Sequence, residues 1–122
     1  MPEWQKGKNM DCLFCKIIAG EIPSSKVYEN EYVYAFNDIS PVAPVHVLIV
    51  PKMHIPNINE LNAENVSVIS EVYLAAAEIA KQLGVDESGY RVVTNCGEAA
   101  GQTVHHIHFH LLGGRDLAWP PG

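Results

Sequence analysis

Between Val104 and Leu112 the chain reads VHHIHFHLL, with histidine at 106, 108 and 110 and an apolar residue at 107, 109 and 111. Strict alternation of this kind suits a β-strand, where successive side chains leave on opposite faces. His106, His108 and His110 then share one face, roughly 6.5–7 Å apart along the strand. Ile107, Phe109 and Leu111 share the other, which must be covered by an apolar layer. The fold therefore needs a sheet with a helix on one side and a cleft on the other. His105 falls with the apolar set or at the strand edge and reads as structural.

The rest of the chain supplies those parts. SSKVYE, EYVYAF, VHVLIV and YRVVTN are rich in β-branched and aromatic residues and read as four further strands. In VHVLIV, His46, Leu48 and Val50 take one face, and Val45, Val47 and Ile49 the other. NELNAENVSVISEVYLAAAEIAKQLG is the long helix, with Val66, Ile69, Tyr73, Ala76, Ala80 and Leu83 as an apolar stripe and Gly84 as its stop. Asp11 can cap a short helix, CLFCKIIA, that ends at Gly20. Five strands with one long and one short helix make an α+β fold. The close spacing of the first three strands favours an antiparallel meander. The tail GGRDLAWPPG cannot extend a sheet regularly and is expected to wrap the surface or a second subunit.

At 122 residues the chain is one domain, 11–122, behind a polar lead-in, 1–10, expected to be mobile. That lead-in, MPEWQKGKNM, lacks the apolar core of a signal peptide. ISPVAPVHVLIVP is too short to span a bilayer and is broken by prolines. A net charge of -6 argues against binding a nucleic-acid backbone. Three cysteines, an odd number, fit a reducing compartment better than a disulfide framework. A cytoplasmic protein, with neither membrane nor nucleic acid as partner, is the expectation.

Imidazoles aimed at one small substrate have three uses. A neutral imidazole can attack phosphorus and give a covalent nucleotidyl-histidine that water later cleaves. Imidazoles can shuttle protons as general acid and base. An H-x-H pair on a strand can also hold zinc. The first two combine in one mechanism; the third competes for the same nitrogens. Cys12 and Cys15, a C-x-x-C, fit a redox pair, two buried bystanders, or zinc ligands, but the βαβ context of a thioredoxin is missing. Cys96 reads as a lone thiol, and His54, in the loop after the third strand, has no catalytic role.

HIHFHLL resembles the alternating signature of the histidine triad (HIT) superfamily. FCKIIAGEIPSSKVYEN, AFNDISPVAPVHVLIVPKMHI, GQTVHHIHFHLLGG and the ending WPPG are similar to its Hint branch, the nucleoside phosphoramidases. The resemblance runs from Asp11 to Gly122. It implies a HIT fold: a five-stranded antiparallel sheet with one long and one short helix, continued across a homodimer. It implies hydrolysis of purine nucleoside 5′-phosphoramidates or acyl adenylates to the nucleoside monophosphate.

His108 would be the nucleophile, its other ring nitrogen held by a backbone carbonyl, and His110 would contact the phosphate and leaving group. His106 and Thr103 complete the catalytic set. Gln102 and Thr103 would contact phosphate oxygens and the leaving amine, with Asn95 completing the phosphate site. Asp38 would accept from the ribose diol, beside Asn37, and Phe14, Ile17, Ile22 and Ile39 would form the purine slot. Each has a plainer reading: Asp38 can start a turn, Asn95 can end a strand, and Phe14 and Ile17 fall at core helical spacing. The resemblance also implies a structural Zn²⁺ on Cys12, Cys15, His46 and His106. By the same resemblance Trp119 in the tail would reach the partner subunit's site.

Three functions compete on these residues: a hydrolase working through a nucleotidyl-histidine, a metallohydrolase with catalytic zinc, and a non-catalytic nucleotide-binding regulator. Dinucleoside polyphosphates are the alternative substrate class for the hydrolase.

Overall fold

The computed structural model describes residues 11–122; the expected mobile lead-in, 1–10, lies outside the described residues. Helix α1 spans Leu13–Ile18 and helix α2 spans Ser67–Gln82. The strands are β1 Lys26–Glu29, β2 Val33–Asn37, β3 Val45–Pro51, β4 Tyr90–Thr94 and β5 Phe109–Gly113. All pair antiparallel in the order β1-β2-β3-β5-β4, so the expected meander of the first three is present and β5 inserts between β3 and β4.

Alternation along the strands builds two apolar layers. Val33, Ala35, Val47, Ile49, Phe109 and Leu111 pack with Val72, Ala75, Ala76, Ile79 and Ala80 of α2. On the other face, Phe36, Leu48 and Val50 pack with Phe14, Ile17 and Ile18 of the α1 segment. Leu111, fully buried in the first layer, should lose about 3 kcal/mol of stability as Leu111→Ala, by lost transfer energy and an unfilled cavity. A denaturant melt compared with the parent chain checks this.

The buried face of α2 is rotated from the expected stripe. Val66, Tyr73 and Leu83 are exposed, and Val68, Val72, Ala75, Ala76, Ile79 and Ala80 face the sheet. Ala76 and Ala80 of the expected stripe are buried and Ile69 packs against the core, while Val68, Val72, Ala75 and Ile79 complete the face that lies on the sheet. The helix ends as expected at Gly84, at φ +73, where Val85 N–H bonds back to the Ala80 carbonyl at 2.9 Å. Helix α1 is capped by Cys12, not Asp11: the Cys12 sulfur accepts from Cys15 N–H at 3.3 Å.

The last strand is shorter than its alternation predicts. Its ladder begins at Phe109, opposite Thr94 on β4 and Ile49 on β3. Residues 104–108 are held by other bonds: Ile107 N–H donates to the Ile55 carbonyl at 2.6 Å, and Thr94 Oγ1 donates to the His108 carbonyl at 2.8 Å. Ile107 still joins the core and His106 and His108 are buried on the other side, so the two-faced pattern survives without the ladder. The tail turns back at Gly113–Gly114 and lies over β4, where Arg91 donates to the carbonyls of Leu117 (3.4 Å) and Ala118 (3.0 Å). Among the described residues, no helix is long and apolar enough to cross a membrane.

Candidate active site and metal centre

Backbone groups decide which nitrogen of each imidazole carries the proton, because a carbonyl can only accept and an N–H can only donate. His106 Nε2–H donates to the Pro51 carbonyl at 2.8 Å, so its Nδ1 presents a lone pair. His108 Nδ1–H donates to the His106 carbonyl at 2.8 Å, so its lone pair is on Nε2. Val42 N–H donates to His46 Nδ1 at 3.1 Å, which puts the His46 proton on Nε2. That Nε2–H reaches His110 Nδ1 at 2.9 Å, so His110 carries its proton on Nε2. Two adjacent imidazoles thus present opposite chemistry: a nucleophilic nitrogen on His108 and a donor on His110, ring centres 5.3 Å apart.

Burial pushes the His108 imidazole below its ordinary value, against the pull of the His106 carbonyl and Asp38. It pushes His110 down to about 4, helped by the His108 and His46 imidazoles and opposed by Asp38. Both are therefore neutral at pH 7, the state a nucleophilic imidazole requires. An unfolded histidine titrates near 6.5, so between that pH and about 4 the unfolded chain binds the proton that folded His110 refuses. Stability should accordingly fall as pH drops through that window. Denaturant midpoints taken from pH 7 to 4 check this, with a shallower slope expected in His110→Gln.

A second group lies behind the triad. The Cys12 and Cys15 sulfurs are 3.3 and 3.5 Å from His106 Nδ1, and His54 Nδ1 is 3.4 Å from the Cys15 sulfur and 3.2 Å from His106 Nδ1. Ligand bonds of about 2.0–2.3 Å to zinc set tetrahedral edges of roughly 3.3–3.8 Å, which these separations approach. The four donors can therefore hold a metal ion, and the Pro51 carbonyl has already turned the His106 lone pair toward it.

His54, not His46, is the fourth member. His46 lies on β3 opposite Leu112, beside His110, well along the sheet from His106. His54 follows β3 by three residues and curls back over the end where Pro51 holds His106. Asp38, His46 and His110 also cluster, but the proton on His46 Nε2 occupies the nitrogen that a metal would need.

The remaining expected residues divide. Phe14 is buried edge-on to His108, ring centres 5.0 Å apart, so it is core and site wall at once. Ile17 is buried, Ile22 half-buried and Ile39 98 % exposed. Asp38 Oδ1 accepts from Ser40 N–H at 2.7 Å, the turn reading, while Oδ2 stands 3.4 Å from His46 Nε2. Gln102 is a strut and not an open hand: its Oε1 accepts from Gly97 N–H at 2.9 Å and its Nε2 donates to the Pro56 and Val104 carbonyls at 2.8 and 3.0 Å. Thr103 is exposed and lines a cleft of about 440 Å³ with Asp11, Cys12, Leu13, Val104 and His105, so His105 faces solvent and not the core. Asn95 is half-buried just beyond Thr94, and Trp119 is 82 % exposed. Thr94, which holds the His108 carbonyl, and Val42 were not indicated by any sequence pattern.

The pattern of the HIT domain family matches residues 19–117. The chain is 49 % identical over 107 residues to a purine nucleoside phosphoramidase of Escherichia coli, covering 88 % of this chain and 90 % of that one. It is 44 % identical over 114 residues to a 14 kDa zinc-binding protein of Brassica juncea, covering 92 % and 100 %. A solved HIT family hydrolase from Clostridium thermocellum superposes with a TM-score of 0.88 at 54 % identity, covering 90 % of this chain and 96 % of that one.

Proposed function

The chain belongs to the HIT domain family as a hydrolase, and we propose that it cleaves purine nucleoside 5′-phosphoramidates or acyl adenylates through a nucleotidyl-histidine on His108. The observation that carries this reading is the opposed pair, a lone pair on His108 Nε2 beside a proton on His110 Nε2. The phosphoramidase relative at 49 % identity supports the substrate class.

In the first half-reaction His108 Nε2 attacks the α-phosphorus and the bond to the leaving nitrogen breaks. That nitrogen takes the electron pair, accepts a hydrogen bond from His110 Nε2–H and gains a proton from water. In the second half water attacks phosphorus, the electron pair returns to His108 Nε2, a proton goes to solvent and the monophosphate departs. A donor preorganised where charge develops is worth about 10²–10³ in rate. The His106 carbonyl keeps its hold on His108 Nδ1–H throughout and stabilises the charge that ring acquires.

Phe14, Ile17, Ile22 and Ile39 would contact the purine, Asp38 Oδ2 the ribose, and Thr103, with Asn95 and the Gln102-braced loop, the phosphate. Cys12, Cys15, His54 and His106 would hold zinc. Four protein ligands leave no position for water, which assigns the ion a structural role: it would fasten α1, and with it Phe14, to the sheet. The exposed Tyr73 and Leu74 of α2 and the open edge of strand β4 support a homodimer. Cytoplasmic placement goes with an odd number of cysteines, three, which suits a reducing compartment.

The test is adenosine 5′-phosphoramidate: monophosphate should be released, and protein quenched in turnover should carry the mass of one nucleotidyl group. Absence of release would sink the reading.

A further inference from the structure

The tail beyond β5 is tied to the catalytic imidazoles through one residue, Val42. Val42 lies in the loop between β2 and β3, between Pro41 and Pro44, whose rings fix the local backbone. Its N–H sets His46, and its carbonyl accepts from Arg115 Nε at 3.0 Å. The tail is seated on this loop closely enough that a Cβ on Gly114, at φ +85, would lie 2.9 Å from Pro44 Cβ. Arg91 holds the next turn of the tail by two carbonyls. Arg115 spends its guanidinium on the carbonyls of Val42 and Asp116, and among the described residues it has no acidic partner.

A neutral imidazole has one N–H, so whichever group faces one nitrogen dictates the other. With Val42 N–H on His46 Nδ1, the chain of donors runs His46 Nε2–H to His110 Nδ1, and His110 presents Nε2–H to the cleft. If the Val42 backbone turns away, His46 can move its proton to Nδ1. His110 must then donate from its own Nδ1, and its Nε2 becomes an acceptor. The group facing the leaving nitrogen would reverse polarity without any catalytic side chain being changed.

We infer that Arg115 is a positioning residue that holds Val42 in the orientation fixing the His46 and His110 tautomers, so that the C-terminal tail sets the donor at the leaving group. The inference rests on His110 serving as that donor in the hydrolase proposed above. Its test uses two isosteric changes. In Arg115→Met a methyl carbon stands where Nε stood and cannot donate. In Arg115→Gln an amide nitrogen occupies that place, donating without charge.

Long-range ¹H–¹⁵N spectra of the six histidines in the full chain read the tautomers directly. The parent chain and Arg115→Gln should show His46 and His110 protonated on Nε2, and Arg115→Met should show His46 shifted toward Nδ1–H. In turnover, Arg115→Met should lose about tenfold in kcat on an alkylamine phosphoramidate, a fraction of the roughly 10²–10³ that removing a preorganised donor costs. KM should hold, and the loss should shrink on an acyl adenylate, whose carboxylate leaves with less help. Unchanged tautomers in Arg115→Met would overturn the inference, as would Arg115→Gln being impaired as much as Arg115→Met, which would mean that charge matters. A parent chain that turns over no phosphoramidate would refute the hydrolase reading instead, and the spectra would still decide for or against the tail.

Discussion

Replacing His108 with alanine is expected to lower monophosphate release from adenosine 5′-phosphoramidate by roughly 10⁴-fold or more, the scale on which loss of a nucleophile is felt in other covalent enzymes. The protein should remain folded. The backbone of residue 108 keeps its carbonyl bond from Thr94, and the apolar neighbours Ile107 and Phe109 are untouched. The His106 carbonyl loses one donor, which costs about 1–3 kcal/mol at most. The nucleotidyl mass seen in the quenched parent should be absent from the variant. His110→Ala should leave the adduct able to form but slow its formation by about 10²–10³, so the two variants separate nucleophile from donor. Equal turnover in the parent and His108→Ala, by contrast, would remove the covalent route and return attention to metal-activated water.

The second large effect concerns the cluster behind the triad. The parent chain should carry about one zinc, and His54→Ala, Cys12→Ala and Cys15→Ala should each lose it, whereas His46→Ala should keep it. A ligand present at 1,000 times its dissociation constant adds about 4 kcal/mol to stability. At about 4 °C per kcal/mol, its removal should lower Tm by roughly 15 °C. Metal content and thermal melts of the four variants, with and without chelator, check this. Metal retained by His54→Ala and lost by His46→Ala would invert the ligand set. Because His46 sits in the donor chain to His110, His46→Ala should instead show its damage in kcat, with the melt little changed.

Regular structure was more legible in the sequence than its contacts were. The alternation in β3 and 104–112 announced both faces of the sheet, and the turn at Gly84 announced the end of α2. Helical spacing, however, admits two stripes on α2, and only packing against the sheet chooses Val68, Val72 and Ile79 over Val66, Tyr73 and Leu83. His46 and His54 differ in the same way. Strand periodicity puts His46 on the histidine face but says nothing about which end of the sheet it serves. The return of the loop to His54 depends on bonds such as that from Ile107 to Ile55, which leave no local pattern. The resemblance indicated Gln102 as a site residue, yet its amide braces the loop carrying Thr103. Val42 and Thr94 act through backbone or a single hydroxyl and carry no chemical signature of their own.

The strand order β1-β2-β3-β5-β4 also governs when the site can exist during synthesis. The first three strands are neighbours in sequence and can pair as they emerge from the ribosome. Among the described residues β4 pairs only with β5, so it must wait, and β3 keeps an open edge until β5 inserts beside it. Closing those long-range pairs is the slow part of such a topology. His46 and His54 are in place early, but His106 and His110, which complete both of their clusters, follow more than fifty residues later. Until the segment 104–113 docks, a growing chain therefore holds two half-built sites, each waiting on the same late stretch.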